Sequence, residues 1–145
     1  MTAHKPADRD ASAAPAAPAA FAKLGLHERI LRALVECGYE TPTPIQARSI
    51  PLLMQGKDLL GIAQTGTGKT AAFLVPILHR FLTDPTPDPP RTRALVLAPT
   101  RELAVQIEDQ VQGLTYHTTV SSVAVYGGVP MDPQERALKA DVDMV

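Results

Sequence analysis

The stretch that decides the fold is Gly61-Ile62-Ala63-Gln64-Thr65-Gly66-Thr67-Gly68-Lys69-Thr70. A short apolar run, 59–62, leads into this stretch, and a helix-forming run, 71–82, follows it directly. A strand, a glycine-rich turn and a helix in this order predict a phosphate-binding loop of the Walker A type. Gly66 and Gly68 allow successive backbone N–H groups to point into one concavity, and the helix N-terminus also favours an anion.

Two side chains at the end of this loop suit a nucleotide phosphate. Lys69 brings a compact positive charge to the outer phosphates, and Thr70 offers a hydroxyl to a Mg²⁺ ion that bridges them. The first position of the usual G-x-x-x-x-G-K-[ST] pattern is Ala63, a small residue that suffices where the backbone needs no positive φ. The alternative interpretation is a glycine-rich turn with a solvated lysine, which the flanking strand and helix disfavour.

The composition is that of an ordinary globular domain. The chain has 145 residues, of which 45% are apolar and 20% charged, so its length allows one domain at most. Its formal net charge of −1 excludes a global basic field, so any contact with nucleic acid must be local. The single cysteine, Cys37, lies among apolar residues at helical spacing and is expected to be a buried thiol.

The first twenty residues predict a disordered tail. Residues 1–20 are rich in Ala and Pro and have little large apolar surface to bury. They resemble neither a secretory signal nor an organelle transit peptide, and no stretch is apolar enough to span a membrane. We therefore expect a cytoplasmic protein whose order begins near Phe21.

The remaining pattern alternates helices and strands. One helical face from Leu26 to Cys37 ends at Gly38, and Thr43 is expected to cap the next helix. Further signals are a split or kink at Pro51, a kink at Pro76, a buried helical stripe from Leu103 to Leu114, and a helix capped by Asp132. The predicted strands are 59–63, 94–98, 120–126 and 142–145. This alternation predicts an α/β fold with a doubly wound parallel sheet, whose functional residues gather at the carboxyl ends of the strands.

Four segments together resemble the DEAD-box ATP-dependent RNA helicases. Residues 38–46 resemble the Q motif of that family, with Phe21 as its upstream aromatic residue, and 63–70 resemble motif I. Residues 99–104 resemble motif Ia, and 127–128 the GG motif. The resemblance covers 21–145, the N-terminal part of a RecA-like ATP-binding domain that would be truncated before it is complete. The general look is similar to bacterial members of the RhlE type.

The resemblance implies two sets of ligand contacts. Gln46 would read the adenine edge, because a carboxamide donates and accepts in one plane, while Tyr39 would stack on the adenine face. The residues placed against ATP or ADP are Phe21, Tyr39, Thr41, Gln46, Ala63, Gln64, Thr65, Gly66, Thr67, Gly68, Lys69 and Thr70; Lys69 and Thr70 are the catalytic pair, and Thr70 binds Mg²⁺. Pro99, Thr100, Arg101 and Gly128 would contact the RNA backbone.

Each assignment has a plainer alternative. Gln46 could be a surface residue of a capped helix, Arg101 a solvated first-turn residue, and Phe21 simply part of the core. An arginine at the positive end of a helix is mildly unfavourable, which favours a ligand role for Arg101.

The sequence contains no Asp-Glu-Ala-Asp and no Ser-Ala-Thr. Phosphoryl transfer needs a carboxylate for the metal and a group that orients water, so residues 1–145 alone are expected to be inactive, although the resemblance implies that the parent protein is an enzyme. Alternatives left open are a non-catalytic nucleotide- or RNA-binding module and a different P-loop enzyme; the Q motif argues against the latter. In the helicase fold that the chain resembles, later strands flank strand 59–63, so we also expect its edges to be unpaired here. The isolated chain is then expected to be prone to aggregation or only partly ordered.

Overall fold

The computed structural model describes residues 19–145. The predicted tail lies outside the described residues up to residue 18, whereas Ala19 and Ala20 already belong to a helix. The helices of the described part are α1 (Ala19–Ala22), α2 (Glu28–Glu36), α3 (Pro44–Met54), α4 (Lys69–Thr83), α5 (Arg101–Thr115) and α6 (Met131–Lys139).

Helix α4 lies at the centre of the packing. It contacts α2, α3 and α5, and its Leu74, Val75 and Leu78 are fully buried. Apolar side chains from α2, α3 and α5 complete the same core. This arrangement places the loop that precedes α4 on a well-supported helix, as the predicted strand–turn–helix requires.

Three extended segments lie side by side in parallel. Met144 forms isolated bridges with Ala94 on one side and Ser122 on the other. The Val145 N–H donates to the Ala94 carbonyl at 3.1 Å, and the Val123 N–H donates to the Met144 carbonyl at 3.1 Å. The last residues of the chain therefore lie between two segments that precede them in sequence.

These pairings do not make the predicted sheet. The bridges are too short to form strands within the described residues, so a doubly wound sheet is not shown by this chain. The predicted strand 59–63 takes part in none of the bridges, and its Leu60 and Ile62 are 89% and 87% exposed. This agrees with the expectation of unpaired edges there, while the predicted aggregation stays a prediction.

Several local predictions need correction. α3 runs through Pro51 without being split, and a kink at Pro51 stays a prediction. The predicted cap at Asp132 is wrong, because α6 begins at Met131 and Pro130 is its N-cap. Cys37 is exposed instead of buried, and it is the C-cap residue that follows the last turn of α2. Partial desolvation of the Cys37 thiol raises its pKa, and the negative charge of Glu36 raises it to a smaller extent.

No helix in the described part of the chain combines the length and the apolar character needed to cross a membrane.

Candidate nucleotide and nucleic-acid site

The glycine-rich loop has the backbone conformation that its sequence predicts. Gly66 and Gly68 have φ values of 81° and 84°, in the left-handed region that favours glycine. Gly68 is the N-cap of α4 and Lys69 its first residue. The loop therefore joins directly to a helix N-terminus, the arrangement that binds phosphate in proteins.

The Lys69 ammonium folds back over the loop. Its Nζ donates to the Gln64 carbonyl at 2.7 Å and also to the Ala63 carbonyl. The Thr67 hydroxyl donates to the same Gln64 carbonyl at 2.7 Å. The lysine is thus held at the loop by two backbone carbonyls, and its role as a phosphate ligand stays a prediction. A phosphate in the loop would exchange these neutral carbonyls for charged oxygens, which form stronger hydrogen bonds.

Helix α3 is hydrogen-bonded to this loop through two side chains. The Gln46 Nε2 donates to the Gly68 carbonyl at 3.1 Å, and the Thr43 hydroxyl donates to the Thr67 carbonyl at 2.8 Å. Thr43 is the N-cap of α3 as predicted, and the Gln46 Oε1 accepts the Thr43 N–H at 3.0 Å. The Q-motif segment therefore shapes the phosphate loop from the side.

The position of Gln46 changes how its predicted role must be understood. Gln46 is only 1% exposed, so the alternative of a surface residue is wrong. Each end of its carboxamide already has a protein partner, although one N–H and one lone pair are left over. A contact with adenine would have to use those, or displace a present partner. Adenine reading by Gln46 stays a prediction.

The Q-motif segment contacts the core through a pair of aromatic residues. Phe21 and Tyr39 are in edge-to-face contact, with ring centroids 6.3 Å apart. Phe21 is 1% exposed and belongs to the core, so it could act on a nucleotide only through Tyr39. Tyr39 is half-buried, which raises the pKa of its hydroxyl. Thr41 and Thr65, two further residues of the predicted set, are exposed.

A second group of predicted residues meets at the start of α5. Gly128 has a φ of 84°, and a Cβ built there would lie 3.3 Å from the Arg101 Nη1. The two segments that resemble motif Ia and the GG motif are therefore adjacent, although 27 positions separate the two residues in sequence. A glycine at 128 leaves the backbone open beside an exposed guanidinium, a combination suited to a phosphate.

Thr100 and Arg101 both have local partners. The Thr100 Oγ1 accepts the Leu103 N–H at 3.2 Å and caps α5. The Arg101 Nε pairs with the Glu102 carboxylate at 2.8 Å, with about two thirds of each side chain exposed. This hydrogen bond is the largest cause that lowers the pKa of Glu102. Exposed ion pairs are weak, so Arg101 can leave Glu102 for a stronger anion. Pro99 is exposed beside them.

An open groove lies beside the phosphate loop. It has a volume of about 550 Å³, and its lining includes Lys69, Thr70 and Leu103 of α5. Most of the lining is apolar, so the groove itself is not the phosphate site. Within the described residues there is no group of three or more His, Cys, Asp or Glu side chains that could hold a metal ion. Thr70, in the first turn of α4, is the only predicted metal ligand.

Two residues of this site are absent from the predicted ligand contacts. Thr43 was predicted only as a helix cap, and Gln134, which hydrogen-bonds next to Gly127 and Gly128, was given no role. Neither contact has a sequence signal, because the partners lie 24 and 8 positions away in irregular segments.

Comparison with known proteins identifies the family. The family model described as DEAD/DEAH box helicase matches residues 43–145, well over half of the chain. The chain belongs to the DEAD/DEAH box helicase family. This membership agrees with the order and spacing of the segments that form the two groups above.

Named relatives of this DEAD/DEAH box chain support the same placement. It is 45% identical over 125 residues to an ATP-dependent RNA helicase RhlB of Pseudoalteromonas atlantica, covering 86% of this chain and 30% of that protein. It is 45% identical to an ATP-dependent RNA helicase CshA of Listeria monocytogenes, with 86% and 23% covered. These names do not confirm the predicted RhlE type.

Solved structures share the fold. The crystal structure of a DEAD box protein from the hyperthermophile Methanococcus jannaschii aligns with a TM-score of 0.76 and 35% identity, covering 86% of this chain and 33% of that one. The chain therefore spans about a third or less of the length of the relatives it matches.

Proposed function

We propose that the full-length protein containing this chain is an ATP-dependent RNA helicase. In this proposal, residues 21–145 bind the nucleotide and part of the RNA backbone, and the remainder of the protein couples hydrolysis to unwinding. The observation that carries the proposal is the phosphate loop of a DEAD/DEAH box chain, with Gly68 in the left-handed region and Lys69 drawn onto the loop carbonyls.

The nucleotide end of the proposal rests on the chemistry of the loop. The inward N–H groups and Lys69 suit the phosphates of ATP or ADP. The Thr70 hydroxyl fits a hard cation such as Mg²⁺, which would neutralise charge between the outer phosphates when bound. The described residues supply no carboxylate cluster for that ion, so further metal ligands would have to come from elsewhere in the protein.

The RNA end of the proposal rests on Arg101 and Gly128. A guanidinium and an unobstructed backbone amide recognise phosphate and sugar, which carry no base identity. We therefore propose binding without sequence preference, with Pro99 and Thr100 shaping the same edge. A cytoplasmic location and the absence of a membrane partner stay predictions from the sequence.

The test is RNA-stimulated ATP hydrolysis by the full-length protein. Wild type should hydrolyse ATP faster when single-stranded RNA is added. Lys69→Ala removes the charge from the phosphate cradle and should lower the rate on the order of a thousandfold.

Lys57→Ala is the matched control, because Lys57 is an exposed lysine outside the loop, and its rate should equal that of wild type. Full activity of Lys69→Ala would refute the assignment of the loop. Hydrolysis that RNA does not stimulate would refute the RNA part alone.

A further inference from the structure

Gln134 is a buried polar side chain to which neither proposed ligand set assigns a role. It is 7% exposed and is the only buried residue of α6, a helix that the structure describes completely. The apolar side chains Met131 and Leu138 of the same helix are 62% and 39% exposed. Within the described residues, α6 is therefore held mainly by the hydrogen bonds of Gln134 and little by apolar burial.

These hydrogen bonds act on the loop before α6. The Gln134 Oε1 accepts the Tyr126 N–H at 2.8 Å, and the Nε2 donates to the Tyr126 carbonyl at 3.2 Å. The Nε2 also donates to the Pro130 carbonyl at 3.2 Å. One carboxamide thus pairs with both backbone polar groups of Tyr126, as a neighbouring strand would, and holds the far end of the loop as well.

Gln134 thus holds the loop 127–130 at both ends, through Tyr126 just before it and through Pro130, its last residue. The residues of this loop are exposed, and Gly128 adopts the left-handed conformation beside Arg101. An exposed loop of this kind would sample many conformations if its ends were free, and ordering it on binding would cost affinity. By holding Tyr126 and Pro130, Gln134 removes part of that cost in advance.

We propose that Gln134 is a positioning residue for RNA: it does not touch the ligand but presets the 127–130 loop so that the Gly128 amide and Arg101 face one phosphate. This inference rests on the proposed function, since it assumes that Gly128 and Arg101 bind the RNA backbone. It assigns to α6 the task of shaping a binding loop.

The test uses the full-length protein and a short fluorescein-labelled oligouridylate, with a non-hydrolysable ATP analogue present. Gln134→Met keeps the length of the side chain and loses all three hydrogen bonds to Tyr126 and Pro130. It should raise the Kd for RNA by about tenfold, because the loop must now be ordered on binding. The affinity of Gln134→Met for a fluorescent ADP, measured in a separate titration without the ATP analogue, should stay at the wild-type value. Hydrogen exchange at the Tyr126 amide should become faster.

Glu135→Met is the matched control, because Glu135 is exposed on the same helix and its side chain pairs only with Lys139 among the described residues. It should change neither Kd. An unchanged RNA Kd in Gln134→Met would overturn the proposal. A parallel loss of ADP affinity would also overturn it, because Gln134 would then support the whole fold and not the loop.

A double-mutant cycle with Gly128→Ala provides a second, independent readout. If Gln134 acts through the loop, Gln134→Met should have little further effect once Gly128→Ala has already distorted that loop, so the two effects should not add. Additive effects would overturn the proposal. If wild type binds no RNA, the proposed function fails first, and fast exchange at Tyr126 in Gln134→Met would then leave Gln134 as a structural clamp only.

Discussion

At the scale of single residues, the Gln46 carboxamide combines an observed structural role with a predicted role in binding adenine. It holds Thr43 and Gly68 in this structure, and the family resemblance assigns it to adenine. Gln46→Ala should therefore weaken the binding of both ATP and GTP, because it loosens the loop. It should also narrow the preference for ATP by about 1–3 kcal/mol, the discrimination typical of a bidentate contact with a base. Competition of each nucleotide with a fluorescent ADP measures both effects.

The control for this prediction is Gln55→Ala, which truncates an exposed glutamine at the end of α3. It should leave both affinities unchanged. If Gln46→Ala weakens ATP and GTP by the same factor, Gln46 supports the loop and does not read the base.

At the scale of elements, the packing of α3 against the phosphate loop can be measured with two glycines. Both Gly66 and Gly68 have positive φ, so alanine at either position costs roughly 1–2 kcal/mol of backbone strain. A Cβ at Gly68 would also lie 2.4 Å from the Gln46 Nε2, whereas nothing lies within 4 Å of a Cβ at Gly66. Because Gln46 is buried, Gly68→Ala should destabilise the fold by about 1–3 kcal/mol more than Gly66→Ala.

Thermal unfolding of the two variants without nucleotide checks this difference. Equal midpoints would mean that Gln46 moves aside freely, and that α3 and the loop are not rigidly coupled.

At the scale of the whole molecule, one contact makes the packing of α2 on α4 sensitive to pH. The His27 N–H donates to the His79 Nδ1 at 3.0 Å, which requires that nitrogen to be unprotonated. Burial lowers the pKa of His79, the nearby His27 lowers it further, and Asp84 acts in the opposite direction. The pKa of His79 is therefore lower in the folded state than in the unfolded state, where it is about 6.5. Neutral His79 makes its full contribution to the stability of the fold when the pH is above that unfolded value. That stability is lost as the pH falls below this value.

The protection of the His27 amide against hydrogen exchange, corrected for the intrinsic rate, should therefore decrease below about pH 6.5. His79→Asn offers an acceptor that does not titrate, and it should abolish most of this dependence. An equal decrease in both proteins would assign the effect to another group.

The sequence by itself determined the phosphate loop, the main helices and two of their caps. The phosphate loop and the start of α4 follow from Gly66, Gly68 and Lys69. The Thr43 N–H and the Thr100 hydroxyl, at the caps of α3 and α5, bond to groups only three residues away. Such contacts depend on a few neighbouring residues, so a local pattern can predict them. The predicted cap at Asp132 is wrong, because α6 begins one residue earlier, at Met131, after the N-cap Pro130.

Only the tertiary structure decided which of these elements meet. It placed Gln46 under Gly68, brought Gly128 beside Arg101, and inserted 142–145 between two earlier segments. It also left Cys37 exposed, although its spacing is that of a buried residue. These outcomes depend on the relative positions of helices and extended segments that are far apart in the chain. Packing sets those positions, because each apolar face must find a partner, and no local pattern of residues specifies which partner it finds.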